Sequence, residues 1–196
     1  MASTDLALNS GRPDRTCPSQ HTSIRNPMPD IAHYLLPDDG TIPNHPTWPM
    51  VVYKGAFADE PGGRVAAIET AFHTNGWSNS WRNGIYAFPH YHSNAHEVLG
   101  IASGTATVRF GGEVGGVFEV VPGDVVLLPA GTGHQNLGSS PDLLVIGAYP
   151  SDCSDWDLCR GASDDRSAVL ESILAVPLPL SDPVLGQTGG VTELWL

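Results

Sequence analysis

Positive charge is scarce in this chain: one lysine, Lys54, and eight arginines face 21 acidic residues, for a net charge of −12. That balance repels phosphate backbones and anionic headgroups and supplies few of the cations whose counterion release drives nucleic-acid binding, so neither nucleic acid nor a membrane surface is an expected partner. Long apolar runs are missing as well. No stretch approaches the roughly 18 consecutive apolar residues of a membrane span. The opening MASTDLALNSGRPDRTCPSQ lacks a basic region followed by an apolar one, as a secretory signal would have, and a cytoplasmic location is expected. Cysteine is sparse and odd in number: Cys17, Cys153 and Cys159 form no CxxC pair, which excludes a disulfide framework or a zinc knuckle and leaves free thiols as the expectation. Charged residues make up only 15% against 41% apolar, below the usual share of about 25%. The chain is therefore expected to fold, and its 196 residues suit one domain with a sizeable core.

What is abundant is punctuation. With 22 Gly and 17 Pro, short strands are favoured over long helices, which excludes a helical bundle. Residues 1–30 are polar without a period of two or 3.6 and read as a loose leader, with a single domain over 31–196. A first strand is expected at Val51 to Tyr53. Between Pro61 and Gly76, the spacing of Val65, Ile68 and Phe72 predicts a helix opened by Pro61 and closed by Gly76. From about 84 to 150 the runs EVLGIASG, TATVRFGG, VFEVVPGD, VVLLPAG and LLVIGAY are separated by Gly, Pro or Asp, the pattern of a mainly all-β sandwich or barrel. A second short helix is expected in SDDRSAVLESILAV, with Val169, Ile173 and Val176 on one face and Ser163 or Asp164 as its cap. TELWL at the end is expected to add an edge strand. No internal repeat is visible.

One constellation carries chemistry. Gly84 is followed after five residues by His90, Tyr91 and His92, after four more by Glu97, and after six more by Gly104. Two histidines at i and i+2 of an extended segment face the same way, and Glu97 can join them from the strand beyond the Ser93 to Ala95 connection. A fourth donor follows downstream in Gly123, five residues, Pro129, Ala130, Gly131, two residues, His134. Imidazoles with a carboxylate suit divalent iron, manganese, nickel, cobalt or zinc rather than calcium or magnesium, which prefer all-oxygen shells. His96 competes with Glu97, because on a straight chain it keeps the parity of His90 and His92. The gap to Gly104 favours Glu97.

These paired runs resemble the two signature motifs of the cupin superfamily, the first throughout and the second nearly to its end. The resemblance implies an RmlC-like jelly roll, a cupin-type double-stranded β-helix barrel with one or two short flanking helices, and a metal held inside by His90, His92, Glu97 and His134. The departure is Gly138, where the second motif usually closes on Asn; Asn136 is the nearby amide. The segments DDGTIPNHPTWPMVVYKGAF, NGWSNSWRNGIYAFPHYHSNAHEVLG and PAGTGHQNLGSSPDLLVIGAYP are similar to the YjlB-like single-domain cupins over about Tyr34 to Leu196. Pairing through edge strands is common in such proteins, so a homodimer through TELWL is expected.

Four further residues are candidates for a substrate pocket. Asn136 shares the parity of His134, Arg82 could anchor a carboxylate through its planar fork, Trp81 could line a cavity mouth, and His96 could stand behind the ligands. Each has a plainer alternative: a turn amide, a surface ion pair, a core aromatic, a structural histidine. The ligand set resembles that of cupin dioxygenases, which implies a small-molecule metalloenzyme using iron, manganese or nickel. Two alternatives stand beside it: Lewis-acid isomerase, decarboxylase or lyase chemistry, for which zinc would serve, and a non-catalytic metal- or ligand-binding module.

Overall fold

The computed structural model describes Met1 and residues 28–60, 62–161 and 165–196. Most of the expected leader, Pro61 as helix opener and Ser163 or Asp164 as caps lie outside those residues. Nine strands are described, β1 (Asp30–Tyr34), β2 (Met50–Lys54), β3 (Trp77–Asn83), β4 (Glu97–Ser103), β5 (Ala106–Phe110), β6 (Gly116–Val120), β7 (Val125–Leu128), β8 (His134–Ser139) and β9 (Leu144–Pro150). Three helices accompany them, α1 (Arg64–Thr74), α2 (Arg166–Ala175) and α3 (Val191–Leu194). Asp30, given to the leader from sequence, opens β1. Among the described residues no helix is long and apolar enough to cross a membrane.

The strands form two antiparallel sheets, one in the order β1-β2-β7-β4-β9-β3 and one in the order β6-β5-β8. Period-two alternation assigns the side chains. Met50, Val52, Leu99, Ile101, Val126, Leu128 and Val145 meet Val108, Phe110 and Val120 in one core cluster between the sheets. Their neighbours Val51, Tyr53, Val98, Val125, Leu127, Ile146 and Ala148 form a second cluster with Ile68 and Phe72 of α1 and with Val191 and Trp195. The large sheet is thus buried on both faces, which is why VVLL reads as a continuous apolar run. Gly100 permits the close approach of α1, since a Cβ there would stand 2.7 Å from Ile68 Cγ2.

Two expectations are corrected. TELWL is not an edge strand: Val191–Leu194 is a helical turn, and Trp195 is buried with its Nε1–H donating to Pro49 O at 2.8 Å. The expected route to a homodimer goes with it. The cap of α2 is Asp165, whose carboxylate accepts from Ser167 N and Ala168 N, an Asp at the N-cap satisfying donors the first turn leaves open. Cys153 and Cys159 are free thiols.

Trp195 stacks on Trp48 at 5.4 Å, and Trp48 stacks on His45 at 4.3 Å. His45 Nδ1 accepts from Trp48 N at 2.9 Å, and burial lowers its pKa from 6.5 to about 4. A histidine held neutral in the fold contributes stability that is complete above its unfolded pKa near 6.5 and is lost as pH falls toward 4. His45→Asn keeps an acceptor at this position and removes the titration. The urea midpoint of the wild type is expected to fall more between pH 7 and pH 5 than that of the variant; parallel decline of the two would contradict the assignment.

Candidate metal centre

His90, His92, Glu97 and His134 meet at one end of the barrel, where β4 and β8 begin. His90 and His92 lie outside the named strands, on an extended segment pinned by backbone bridges of His90 with His134 and of Tyr91 with Cys159. Gly131 N donates to His92 O at 2.7 Å, tying the Pro-Ala-Gly turn to the same segment. The chain then bends through Ser93 to Ala95 before β4 opens on Glu97. Ser93 N donates to Asp157 Oδ1 at 2.7 Å, which clamps the bend.

Each histidine uses Nδ1 behind the site. His90 Nδ1 faces Phe88 O at 3.1 Å and His134 Nδ1 faces Thr132 O at 3.2 Å, while His92 Nδ1 faces the Asp157 carbonyl. A carbonyl only accepts, so these contacts place the proton on Nδ1 and leave Nε2 of a neutral ring as a lone pair. Glu97 Oε2 lies 3.6 Å from His92 Nε2 and 3.3 Å from His134 Nε2. The carboxylate is 3% exposed. Its other oxygen, Oε1, accepts from the Tyr149 hydroxyl at 2.9 Å, and Oε2 is the buried side-chain oxygen left without a hydrogen-bond partner among the described residues.

The electrostatics follow from burial and these neighbours. Burial holds His90 down to about 3, with His134 adding to the effect. Burial also opposes charge on His92, but Glu97 and the Asp157 carbonyl outweigh it and leave its pKa above 6.5. For Glu97, burial works against ionisation and the facing imidazoles overcome it, so its pKa lies below the usual carboxylate range. Burial and the Glu97 charge together raise Tyr149, which keeps it a neutral donor.

The donor set is chemically suited to a divalent cation, because an ionised oxygen opposed to imidazole lone pairs calls for positive charge between them. Among the described residues no group of three or more His, Cys, Asp or Glu is arranged so as to hold a metal ion as it stands. The observed carboxylate-to-imidazole contacts, 3.3 and 3.6 Å, are close charge contacts without a hydrogen bond. The unpartnered oxygen, and not any closed polyhedron, is what points to an ion.

A cavity of about 370 Å³ opens on these donors, lined also by Trp81, Arg82, Tyr86, Leu99, Tyr149 and Trp156. The family profile described as Cupin matches residues 79–152, from within β3 to just beyond β9. A Bacillus subtilis protein called Uncharacterized protein YjlB is 42% identical over 163 residues, covering 83% of this chain and 95% of that protein. The chain belongs to the cupin family. Among solved structures, this cupin is similar to an acireductone dioxygenase from Bacillus anthracis described with a cadmium ion in its active centre, at 18% identity over 50% of this chain and 65% of that one, with a TM-score of 0.34. It is similar to oxalate decarboxylase of Bacillus subtilis, described with Mn(II) centres, at 18% identity over 60% and 29% of the two chains and a TM-score of 0.32. Pumpkin seed globulin is 23% identical over 40% of this cupin, which spans only 22% of the globulin, at a TM-score of 0.33.

The other expected pocket residues divide. Trp81 lines the cavity. Arg82 stands at its edge, but its Nε and Nη2 are held by the two Glu69 oxygens at 2.7 and 2.8 Å, so this cupin uses its planar fork to tie β3 to α1. Asn136 does not line the cavity: its Oδ1 accepts from Gly138 N at 2.9 Å and its Nδ2 reaches Ser139 Oγ at 3.2 Å, a turn amide. His96 is fully buried away from it, with Nδ1 accepting from Ala130 N at 2.9 Å and Nε2 donating to Pro177 O at 3.1 Å. Both of its nitrogens are taken, and burial lowers its pKa to about 3. Sequence reasoning missed Tyr149, Trp156 and Asp157. Tyr149 was within reach, since alternation from Val145 turns it inward; Trp156 and Asp157 lie on an irregular segment with no periodic signal.

Proposed function

We propose that this protein is a small-molecule metalloenzyme of dioxygenase type, with His90, His92, Glu97 and His134 holding one divalent transition metal ion. The observation that carries the reading is Glu97 Oε2, buried without a hydrogen-bond partner while it faces imidazole Nε2 atoms at 3.3 and 3.6 Å. Iron, manganese or nickel fit such a donor set, as do cobalt and zinc. Bound there, an ion supplies Lewis acidity and, if redox-active, a partner for dioxygen.

The remaining work falls to the chain. The Phe88, Thr132 and Asp157 carbonyls hold the three rings in one tautomer, and the Tyr149 hydroxyl fixes one Glu97 oxygen so that the other points at the imidazoles. A cavity open on the donors supports an enzyme over a structural metal site, which would be closed by protein. Isomerase or lyase chemistry needs a positioned proton carrier. Among the residues lining the cavity, the Tyr149 hydroxyl is already committed to Glu97, which supports the oxygen-dependent reading.

The test is oxygen uptake with a panel of small enols, thiols and keto acids. Protein reconstituted with iron, manganese or nickel is expected to consume oxygen with at least one compound, and zinc-loaded protein with none. Equal, oxygen-independent turnover in the zinc form would establish the Lewis-acid alternative instead.

A further inference from the structure

The walls of the cavity over Glu97 are aromatic and apolar: Trp81, Ile85, Tyr86, Leu99, Trp156 and Leu158. Trp81 owes its position to Gly147 on β9, where a Cβ would stand 2.1 Å from Trp81 Cε2, so the indole lies against bare backbone. Its Nε1–H donates to the Tyr149 hydroxyl at 3.2 Å, and that hydroxyl donates onward to Glu97. The indole N–H of Trp81 and the Tyr149 hydroxyl are therefore already engaged, and the ring faces remain. Trp156 stacks on Tyr149 with centroids 4.1 Å apart and planes at 16°. Tyr86, 51% exposed, stands at the mouth and stacks on Phe88 at 4.8 Å.

Charge is distributed as selectively. Among the described residues lining the cavity, Arg82 is the single Lys or Arg, and both oxygens of Glu69 already neutralise it. Glu97 adds a buried negative charge. In the metal-free cavity a carboxylate or phosphate loses hydration and finds no free Lys or Arg side chain, whereas a flat neutral ring exchanges water for aromatic surface.

We propose that the cavity takes a neutral, planar aromatic or conjugated ligand bearing a hydroxyl or enol oxygen, with its ring against Trp81 and Trp156 and its oxygen toward the four donors. The proposal rests on the reading of this cavity as the ligand pocket of a metal-dependent cupin. Aliphatic keto acids and phosphorylated compounds are disfavoured by the same walls.

The experiment is isothermal titration calorimetry on full-length protein stripped of metal by chelation, with 2-naphthol and 2-naphthoate as probes of equal ring and opposite charge state. One saturable site is expected for 2-naphthol, at least about tenfold tighter than for 2-naphthoate. Trp156→Ala and Tyr86→Ala, both at the accessible mouth, are each expected to weaken 2-naphthol binding several-fold. Tighter binding of 2-naphthoate, especially if Arg82→Gln removes it, would overturn the proposal and restore Arg82 as an anion anchor. Absence of 2-naphthol binding, or binding indifferent to both variants, would overturn it as well. Metal content of the same protein before stripping separates the two claims: metal retained without the aromatic preference refutes only the ligand class, and the preference without any metal refutes only the proposed function.

Discussion

Glu97→Gln is expected to cost the protein its metal, while His96→Ala is expected to keep it. Gln preserves the shape of the side chain and an oxygen for the Tyr149 hydroxyl, but removes the charge that opposes the three imidazole lone pairs. Affinity for a divalent ion should fall at least about 100-fold, the upper end of what losing even a partner behind a ligand costs. His96→Ala acts elsewhere. It strands Ala130 N and Pro177 O and removes a ring packed 4.8 Å from Trp195, a loss of about 2–3 kcal/mol in folding stability. Competition with a chelating dye and urea unfolding of the same two variants separate the effects. The reverse order, with metal lost in His96→Ala and kept in Glu97→Gln, would transfer the fourth donor to His96.

Asp182→Ala is expected to produce the largest loss of stability of any single change in the carboxy-terminal segment. Asp182 is fully buried. Its Oδ1 accepts from Val184 N and Leu185 N, and its Oδ2 from Val191 N, each at 2.8 Å, while the Tyr53 hydroxyl of β2 donates to Oδ2 as well. One carboxylate thus closes a turn, begins α3 and ties both to the outer face of the large sheet. Alanine leaves those donors without an acceptor, which costs on the order of 3–5 kcal/mol. Urea unfolding should show it, with metal content unchanged in the folded fraction. A change below about 1 kcal/mol would mean that water replaces the carboxylate, contrary to its burial.

The pattern of what sequence could and could not reveal has a physical basis. β4, β7 and β9 are legible because two-sided burial writes them as apolar runs, and β5 and β6 because they alternate between turns that require Gly, Pro or Asp, whereas β8, HQNLGS, is largely polar and does not read as a run. The four converging donors are legible because their spacings are local: a two-residue repeat, a short bend and a Pro-Ala-Gly turn. β3 was not, since WSNSWRN is an edge strand with a register shift between Ser78 and Trp81, which breaks its alternation. TELWL has strand-like composition, yet Asp182 and the Trp48 stack override that preference with contacts far away in sequence. Arg82 required knowing that α1 packs beside β3, which brings Glu69 to its guanidinium. The gap to Gly104 favours Glu97 over His96 in the sequence, and the bend clamped by Asp157 supplies the reset of parity that a straight chain would lack.

The most direct measurement is elemental analysis of protein purified without an affinity tag or added metal. The account predicts about one divalent transition metal ion per chain, iron, manganese or nickel foremost, and its loss in His134→Ala. A chain that holds no such ion and takes up none on reconstitution would contradict it, and the charge facing Glu97 would then be a proton.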